Sequence, residues 1–515
     1  MYVEPNSTVY LMKNVPLDPT YQHTVLFSSR DSQANTFLGF AEAGLTFENQ
    51  SYQRHGRGYL RVAKNVGELL NCNYMMFRNY NSEKLGYDRW FYAFITDVEY
   101  VNEATTLVRY EIDIMQTWLF DYSLDPVFVE REHSSTDEAG DNLLEENLER
   151  GEYVFKSFGK SGVLDAADYG IAIWSTYDPT TQQDVEGGMF ANLYTAAKGF
   201  FFDVASGANS FIEACTKQGR APGCIVGVIM CPKIYKGYFT GGSGRVDNYK
   251  DVTYPKNLAD IDGYTPKNKK LFTHPYNFLY ATNLTGSNLE LRYEYFDTQN
   301  CILRIGGTPS MSMDAMLVPK NYKGVALNTN ESMAIGDIPM CCYSVDAFTA
   351  WFAQNKGSYI SGKVNQVVGA IGQFATGNVA GGTVSLVTGV SSAIGELRDK
   401  SVQPPNVSGS PAQGTIFGEG WNDFWIGCVT IKAQFAKIID QYWSKFGYPC
   451  RQIKVPNRNA RANWNYVKTQ GCEFTGSIPA SDAESIKAIY DNGVTFWNDI
   501  NSVGKYGDFT NPINT

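Results

Sequence analysis

Glu111 and Asp113 lie two residues apart within Leu107 to Ile114, where Val108, Tyr110, Ile112 and Ile114 alternate with Leu107, Arg109, Glu111 and Asp113. In an extended strand such alternation sends the two sets to opposite faces, so both carboxylates share one face. A carboxylate pair is enough for general acid and base chemistry. No substrate groove is legible around this one, and the simpler reading is the solvated side of a half-buried antiparallel strand. Gly159-Lys160-Ser161 ends like a phosphate-binding loop, but the leading glycine would fall at 154, where Val154 stands, so a turn is expected. His23, His55, His133 and His274 are too widely separated to suggest a metal cluster or a nucleophile and base; surface or hydrogen-bonded core positions are expected. Ten cysteines (Cys72, Cys215, Cys224, Cys231, Cys301, Cys341, Cys342, Cys428, Cys450 and Cys472) form no CxxC pair and have no histidine nearby. They read as reduced, mostly buried thiols, not as zinc ligands or a disulfide framework. No catalytic, cofactor or metal site follows, and the chain reads as a non-enzyme.

The elements that would hold these groups are mostly strands. A chain of 515 residues allows about two to four domains. Heavy use of tyrosine and phenylalanine with few charges leans towards β-structure, and the expected class is α+β, predominantly antiparallel β. Trp90 to Tyr100 reads as the hairpin partner of Leu107 to Ile114, joined through Val101-Asn102-Glu103-Ala104. Residues 134 to 152 are acidic and read as a surface connector, with Leu143, Leu144 and Leu148 on a short helix. Residues 153 to 343 alternate short apolar runs such as Cys224 to Cys231 with turns such as Gly241-Gly242-Ser243-Gly244, which suggests an irregular β-rich domain with one or two helices near 187 to 218. Phe348, Trp351 and Phe352 mark a helix beginning near Ser344. Phe435, Ile438, Ile439, Tyr442, Trp443 and Phe446 repeat at helical spacing and stop at Gly447. A second helix is expected to open on the capping-box pattern Ser481-Asp482-Ala483-Glu484 and end near Gly493. Arg451 to Val455 and Trp464 to Thr469, between these helices, read as strands.

One stretch fits none of these classes. From Val364 to Gly395, thirty-two consecutive positions carry no Asp, Glu, Lys or Arg. Seven glycines dilute its valines and isoleucines, each costing an ordered helix or strand roughly 0.5 to 1 kcal/mol. Asn, Gln, Ser and Thr interrupt it, so it falls short of the about 20 apolar residues of an ordinary membrane-spanning helix. Gly377 and Gly381 form a GxxxG step, Gly389 and Ala393 repeat small-xxx-small spacing, and Val364, Val367, Val368 and Ile371 follow helical spacing. A glycine-rich loop packed on its own protein is the plainer alternative. Residues 402 to 420 then read as a Pro, Gly and Ser linker.

The net charge of −10 argues against a binder of nucleic-acid phosphates, although an acidic wall would let DNA slide past without sticking. The first residues lack the basic start and apolar core of a signal peptide, so folding in a cytoplasm is expected.

Several short motifs occur in an order that resembles the tail knob, or distal tail tube, proteins of small protein-primed podophages of Gram-positive bacteria, of the Picovirinae and Salasmaviridae type. They are Trp90-Phe91-Tyr92-Ala93-Phe94, Tyr110 to Trp118, Arg131-Glu132-His133, Phe446-Gly447-Tyr448, Pro456-Asn457-Arg458, Trp464-Asn465-Tyr466-Val467 and Asp491 to Trp497. Little correspondence of this kind is found between 150 and 340. The resemblance implies a homohexamer in which an N-terminal β-rich part (1–133) and a C-terminal α+β part (421–515) form a tube. It also implies an acidic connector (134–152), a middle knob domain (153–343), and a region (344–420) holding a loop that plugs the lumen. That loop, 364–395, would be released to penetrate the host cytoplasmic membrane, with Val364, Val367, Val368, Ile371, Phe374, Gly377, Gly381, Leu386, Val387, Val390 and Ile394 as its membrane-active residues. Implied partners are neighbouring tail proteins, the membrane, and phage DNA passing through without specific binding; the implied location is the virion tail. The competing reading is a tail-tip cell-wall or capsule glycan hydrolase.

Overall fold

The computed structural model describes residues 6–81, 86–163, 169–184, 188–190, 193–195, 198–218, 224–240, 249–283, 288–308, 314–322, 340–342 and 423–514. The expected helix near 344, the uncharged stretch 364–395, the linker 402–420 and the turn at 241–244 lie outside them. The chain divides into two units: unit 1 comprises residues 1–149, 264–271 and 433–515, and unit 2 comprises 150–263 and 272–432.

In unit 1, alternation produces the strand it predicts. Thr106, Val108, Tyr110 and Ile112 are buried on Thr105–Ile112, whereas Arg109 is exposed. This strand pairs with Phe91–Asn102 across a turn at Glu103-Ala104. The pair belongs to a six-stranded antiparallel sheet in the order Ala41–Gln50, Ser7–Lys13, Cys72–Arg78, Phe91–Asn102, Thr105–Ile112, Arg57–Val62. Its central strands are covered on both faces. Tyr74, Met76, Tyr92 and Phe94 pack with Phe37, Trp464 and Trp497, while Met75, Phe77, Ala93 and Val108 pack with Leu45 and Leu60.

A five-stranded sheet runs His23–Val25, Val494–Trp497, Trp464–Gln470, Val127–Glu132, Tyr448–Lys454; only the first pairing in it is parallel. Strands from the two ends of the chain interleave, so neither end can form this sheet alone. The helix Ala480–Asn492 covers one side through Ile486, Ile489 and Tyr490, which join Val467, Val494 and Phe496 in a third cluster.

Three sequence expectations are corrected in unit 1. Helix Ala480–Asn492 starts after Pro479 with no side-chain cap, so Ser481 and Glu484 lie inside it and form no capping box. Helix Ala433–Phe446 ends at Gly447 as expected, but its buried stripe is Ala436, Ile439, Asp440, Trp443 and Ser444, and Ile438 is 64% exposed. Residues 134–149 hold no helix, and Leu143 and Leu144 are exposed; Glu138, Asp141, Glu145 and Glu149 are exposed too, whereas the carboxylates of Asp137 and Glu146 are buried.

In unit 2, a four-stranded sheet runs Tyr153–Lys160, Trp425–Ile431, Asn277–Thr282, Asn288–Leu291. A second runs Tyr249–Pro255, Asn300–Thr308, Asp314–Lys320, Met340–Cys342, and a three-stranded sheet runs Lys198–Phe202, Tyr169–Ser175, Ile225–Pro232. One core joins them, with Ile171, Ile173, Leu279, Leu303, Leu317 and Ile426 among its residues. The helix expected between 187 and 218 is confined to Ala205–Lys217; strands occupy 188–190, 193–195 and 198–202. Gly159 and Lys160 end a strand with Ser161 just beyond it, so the apparent phosphate loop is sheet edge.

Candidate functional site

The chain leaves unit 1 after Glu149, returns for 264–271, leaves again, and re-enters at Ala433. A buried polar cluster within unit 1 ties these segments together. Asp440, only 1% exposed, lies on the inner face of helix Ala433–Phe446. Its carboxylate accepts from the Tyr264 hydroxyl at 2.6 Å, the Lys267 N–H at 2.7 Å, the Asn268 N–H at 2.9 Å and the Asn268 side-chain amide at 2.7 Å. A buried charge is tolerated only when its lone pairs are filled in this way. The Asn268 amide also reaches Ser444 Oγ at 2.8 Å, and the Tyr448 hydroxyl donates to Asp137 Oδ1 at 2.7 Å. Burial raises the Asp137 carboxyl above its ordinary range.

Beside it, Glu146 accepts from Arg131, from the Trp443 indole N–H at 2.9 Å and from Lys270 Nζ at 3.1 Å. Lys270 also donates to the Leu144 carbonyl at 2.7 Å, and burial lowers its pKa.

Arg131-Glu132-His133 runs through the end of the Val127–Glu132 strand and links this cluster to the sheet. Arg131 Nη1 donates to the Gly447 carbonyl at 2.6 Å. Glu132 accepts the Asn457 N–H at 2.9 Å and pairs with Lys454. His133 Nδ1 accepts the Tyr466 N–H at 2.8 Å, which leaves the proton on Nε2, 3.1 Å from the Ser444 carbonyl. Burial, aided by the Arg461 charge, pushes the His133 pKa down to about 3, so the ring is neutral. The motifs containing these residues are structural seams: Gly447, Asn457 and Tyr466 each meet the 131–133 segment.

The other candidates separate. Glu111 is half-buried and faces Arg57 at 3.2 Å. Asp113 has left the strand, caps the short helix Ile114–Thr117 by accepting the Gln116 N–H at 3.0 Å, and takes the Tyr74 hydroxyl at 2.8 Å in the core. The two carboxylates therefore share no open face. His23 accepts the Trp497 indole N–H at 3.0 Å, His55 lies 2.8 Å from Asp482, and His274 lies 3.3 Å from Glu290. Cys72, Cys215, Cys224, Cys301, Cys428 and Cys472 are free and buried, and Cys450 is free and half-buried. Among the described residues no helix is long and apolar enough to cross a membrane. Val364, Val367, Val368, Ile371, Phe374, Gly377, Gly381, Leu386, Val387, Val390 and Ile394 all lie outside the described residues.

A family model described as Bacillus phage phi29, Tail knob protein gp9, C-terminal domain, matches residues 245–509, more than half of the chain. The chain belongs to the phi29 tail knob protein gp9 family. It is a component of a phage virion tail. A second family model, Caudoviral major tail protein N-terminus, matches residues 5–123, which include all six strands of the larger sheet. Tail knob protein gp9 of Bacillus phage B103 is 23% identical and that of phage phi29 is 24% identical, each alignment covering 98% of both chains. The solved tail knob protein gp12 of bacteriophage C1 shares the fold, with a TM-score of 0.66 at 15% identity over 99% of this chain and 100% of that one. The tail knob match begins at 245, inside the region where short motifs offered little correspondence.

The signal that sequence reasoning missed is Asp440. It sits among apolar residues at helical spacing, where a charge is out of place on a core-facing stripe. Its partners lie more than 170 residues away.

Proposed function

We propose that this tail knob protein assembles as a homohexamer forming the distal tube of a short-tailed phage, and that the genome passes through it. The 364–395 loops plug the lumen in the resting virion and are released to open a path through the host cytoplasmic membrane. The observation that carries this reading is the interleaving of N- and C-terminal strands in unit 1, on which a tail-protein model and the tail knob model both fall. Such a unit, closed by strands from both ends of the chain, suits a rigid ring segment. The uncharged stretch supports the second half of the reading. Six copies too polar to cross lipid singly can line a wet pore with Asn, Gln, Ser and Thr inward and Val, Ile and Phe outward. The net charge of −10 is consistent with a wall that does not retain DNA. The one carboxylate pair singled out for acid and base chemistry, Glu111 and Asp113, is split between a strand face and the core and lends the glycan-hydrolase alternative no support.

Electron microscopy of the purified chain tests the assembly, with six-fold rings or tubes expected. Deletion of 364–395 is expected to leave the rings intact and abolish dye leakage from liposomes. A monomer at high concentration would overturn the first half, and undiminished leakage the second.

A further inference from the structure

Arg458, in the Pro456-Asn457-Arg458 motif, lines a cleft of about 880 Å³ in unit 1. Ser28, Ser32, Asn457, Asn498 and Asn501 line it too. Among the described residues no carboxylate pairs with the half-buried guanidinium. Its partners are neutral: the Tyr490 hydroxyl at 3.4 Å, the Tyr122 hydroxyl, and the rings of Tyr122 and Phe496 at 5.8 and 5.9 Å. Ring attraction fades at about 6 Å, so these contacts do not replace a counter-charge. The Asp499 carboxylate, also on the cleft, is engaged within its own turn. It accepts from Ser502 Oγ at 2.7 Å, the Asn501 N–H at 3.1 Å and Asn501 Nδ2 at 3.3 Å.

Arg458 is the one cation among the lining residues and carries no ion pair among the described residues, while Asp499 keeps its charge and is held in its own turn. An anionic group can therefore seat only on Arg458, with the surrounding hydroxyl and amide groups suited to a ligand's hydroxyls. Guanidinium matches the paired oxygens of phosphate or carboxylate. The other polar side chains can both donate and accept, as sugar or polyol hydroxyls require. The volume lies in the range of small-molecule sites. We propose that this cleft binds a polyhydroxylated anion, a sugar or polyol bearing a phosphate or a carboxylate, with Arg458 on the anionic group. This does not depend on the membrane-active loop or on hexamer formation.

Isothermal titration calorimetry of the full chain with glycerol 3-phosphate, glucuronate and glycerol is the test. Binding of at least one anion, with none of glycerol, is expected, and the anion that binds identifies the acid group. Arg458→Gln should weaken it at least about tenfold, or 1.4 kcal/mol. Because Arg458 also packs on two rings, Ser32→Phe provides an independent block. Among the described residues only the backbone groups of Ser32 are hydrogen-bonded, so a ring at this cleft-lining position should fill the cleft without removing a side-chain contact. Absence of binding by either anion, equal binding of glycerol, or binding unchanged in both variants would overturn the proposal.

Discussion

Gly447 and Glu132 approach so closely that a Cβ on Gly447 would lie 2.3 Å from the Glu132 carbonyl oxygen. Gly447 also has φ of 66°, in the left-handed region that ends a helix cheaply only for glycine. One residue therefore both stops helix Ala433–Phe446 and lets the Val127–Glu132 strand pass against that stop. Gly493 repeats the arrangement at the end of Ala480–Asn492, where φ is 92° and a Cβ would meet the Tyr466 hydroxyl at 2.0 Å.

Gly447→Ala should accordingly destabilise the protein by more than backbone strain alone, on the order of 2 to 4 kcal/mol. Urea unfolding of the variant beside the native chain would show it. A loss below about 0.5 kcal/mol, ordinary for a surface change, would mean that the contact relaxes freely.

Asp440→Ala removes the acceptor of four hydrogen bonds and orphans the N–H groups of Lys267 and Asn268, each at about 1 to 3 kcal/mol. The 264–271 segment should then detach before the rest of unit 1 unfolds. It carries Lys267, Lys269 and Lys270, so brief trypsin digestion should cut there in the variant much faster than in the native chain. Equal cutting rates would show that Asp440 does not hold this segment.

Burial raises the Asp113 carboxyl to about 6, whereas His133 is pushed down to about 3. The folded state thus holds a proton on Asp113 that the unfolded chain has released, and the stability this contributes is lost as pH rises through about 6. For His133 the unfolded chain takes up the proton first, so its contribution is lost as pH falls from the ordinary imidazole value towards 3. Each fully developed effect changes stability by about 1.4 kcal/mol per pH unit, and between about pH 4 and 6 the two oppose. Asp113→Asn keeps the helix cap and the Tyr74 contact while removing one of them. The variant should be more stable than the native chain near pH 7, by about 3 kcal/mol, and lose stability more steeply on acidification. Parallel pH profiles of the two proteins would refute the assignment.

Repeating local patterns were legible without coordinates. Alternation from Leu107 to Ile112, the helix halted by Gly447, and the strand from Trp464 all reflect backbone geometry acting on near neighbours. The same kind of pattern misled where a residue's partners lie far along the chain. Asp440 went unnoticed among the apolar residues of its helix, Glu146 and Asp137 read as part of an acidic surface connector, and Asp113 read as the neighbour of Glu111.

The sequence by itself determined the predominance of antiparallel strands, the two helices of the C-terminal part, the absence of charge from 364 to 395, and the motif order that marks the tail knob family. Only the tertiary structure decided which carboxylates are buried, how strands from the two chain ends interleave, and that eight residues at 264–271 belong with helix Ala433–Phe446. Periodicity is a property of adjacent residues. Burial of a charge depends on donors brought to it by the fold, and those donors leave no periodic trace beside it.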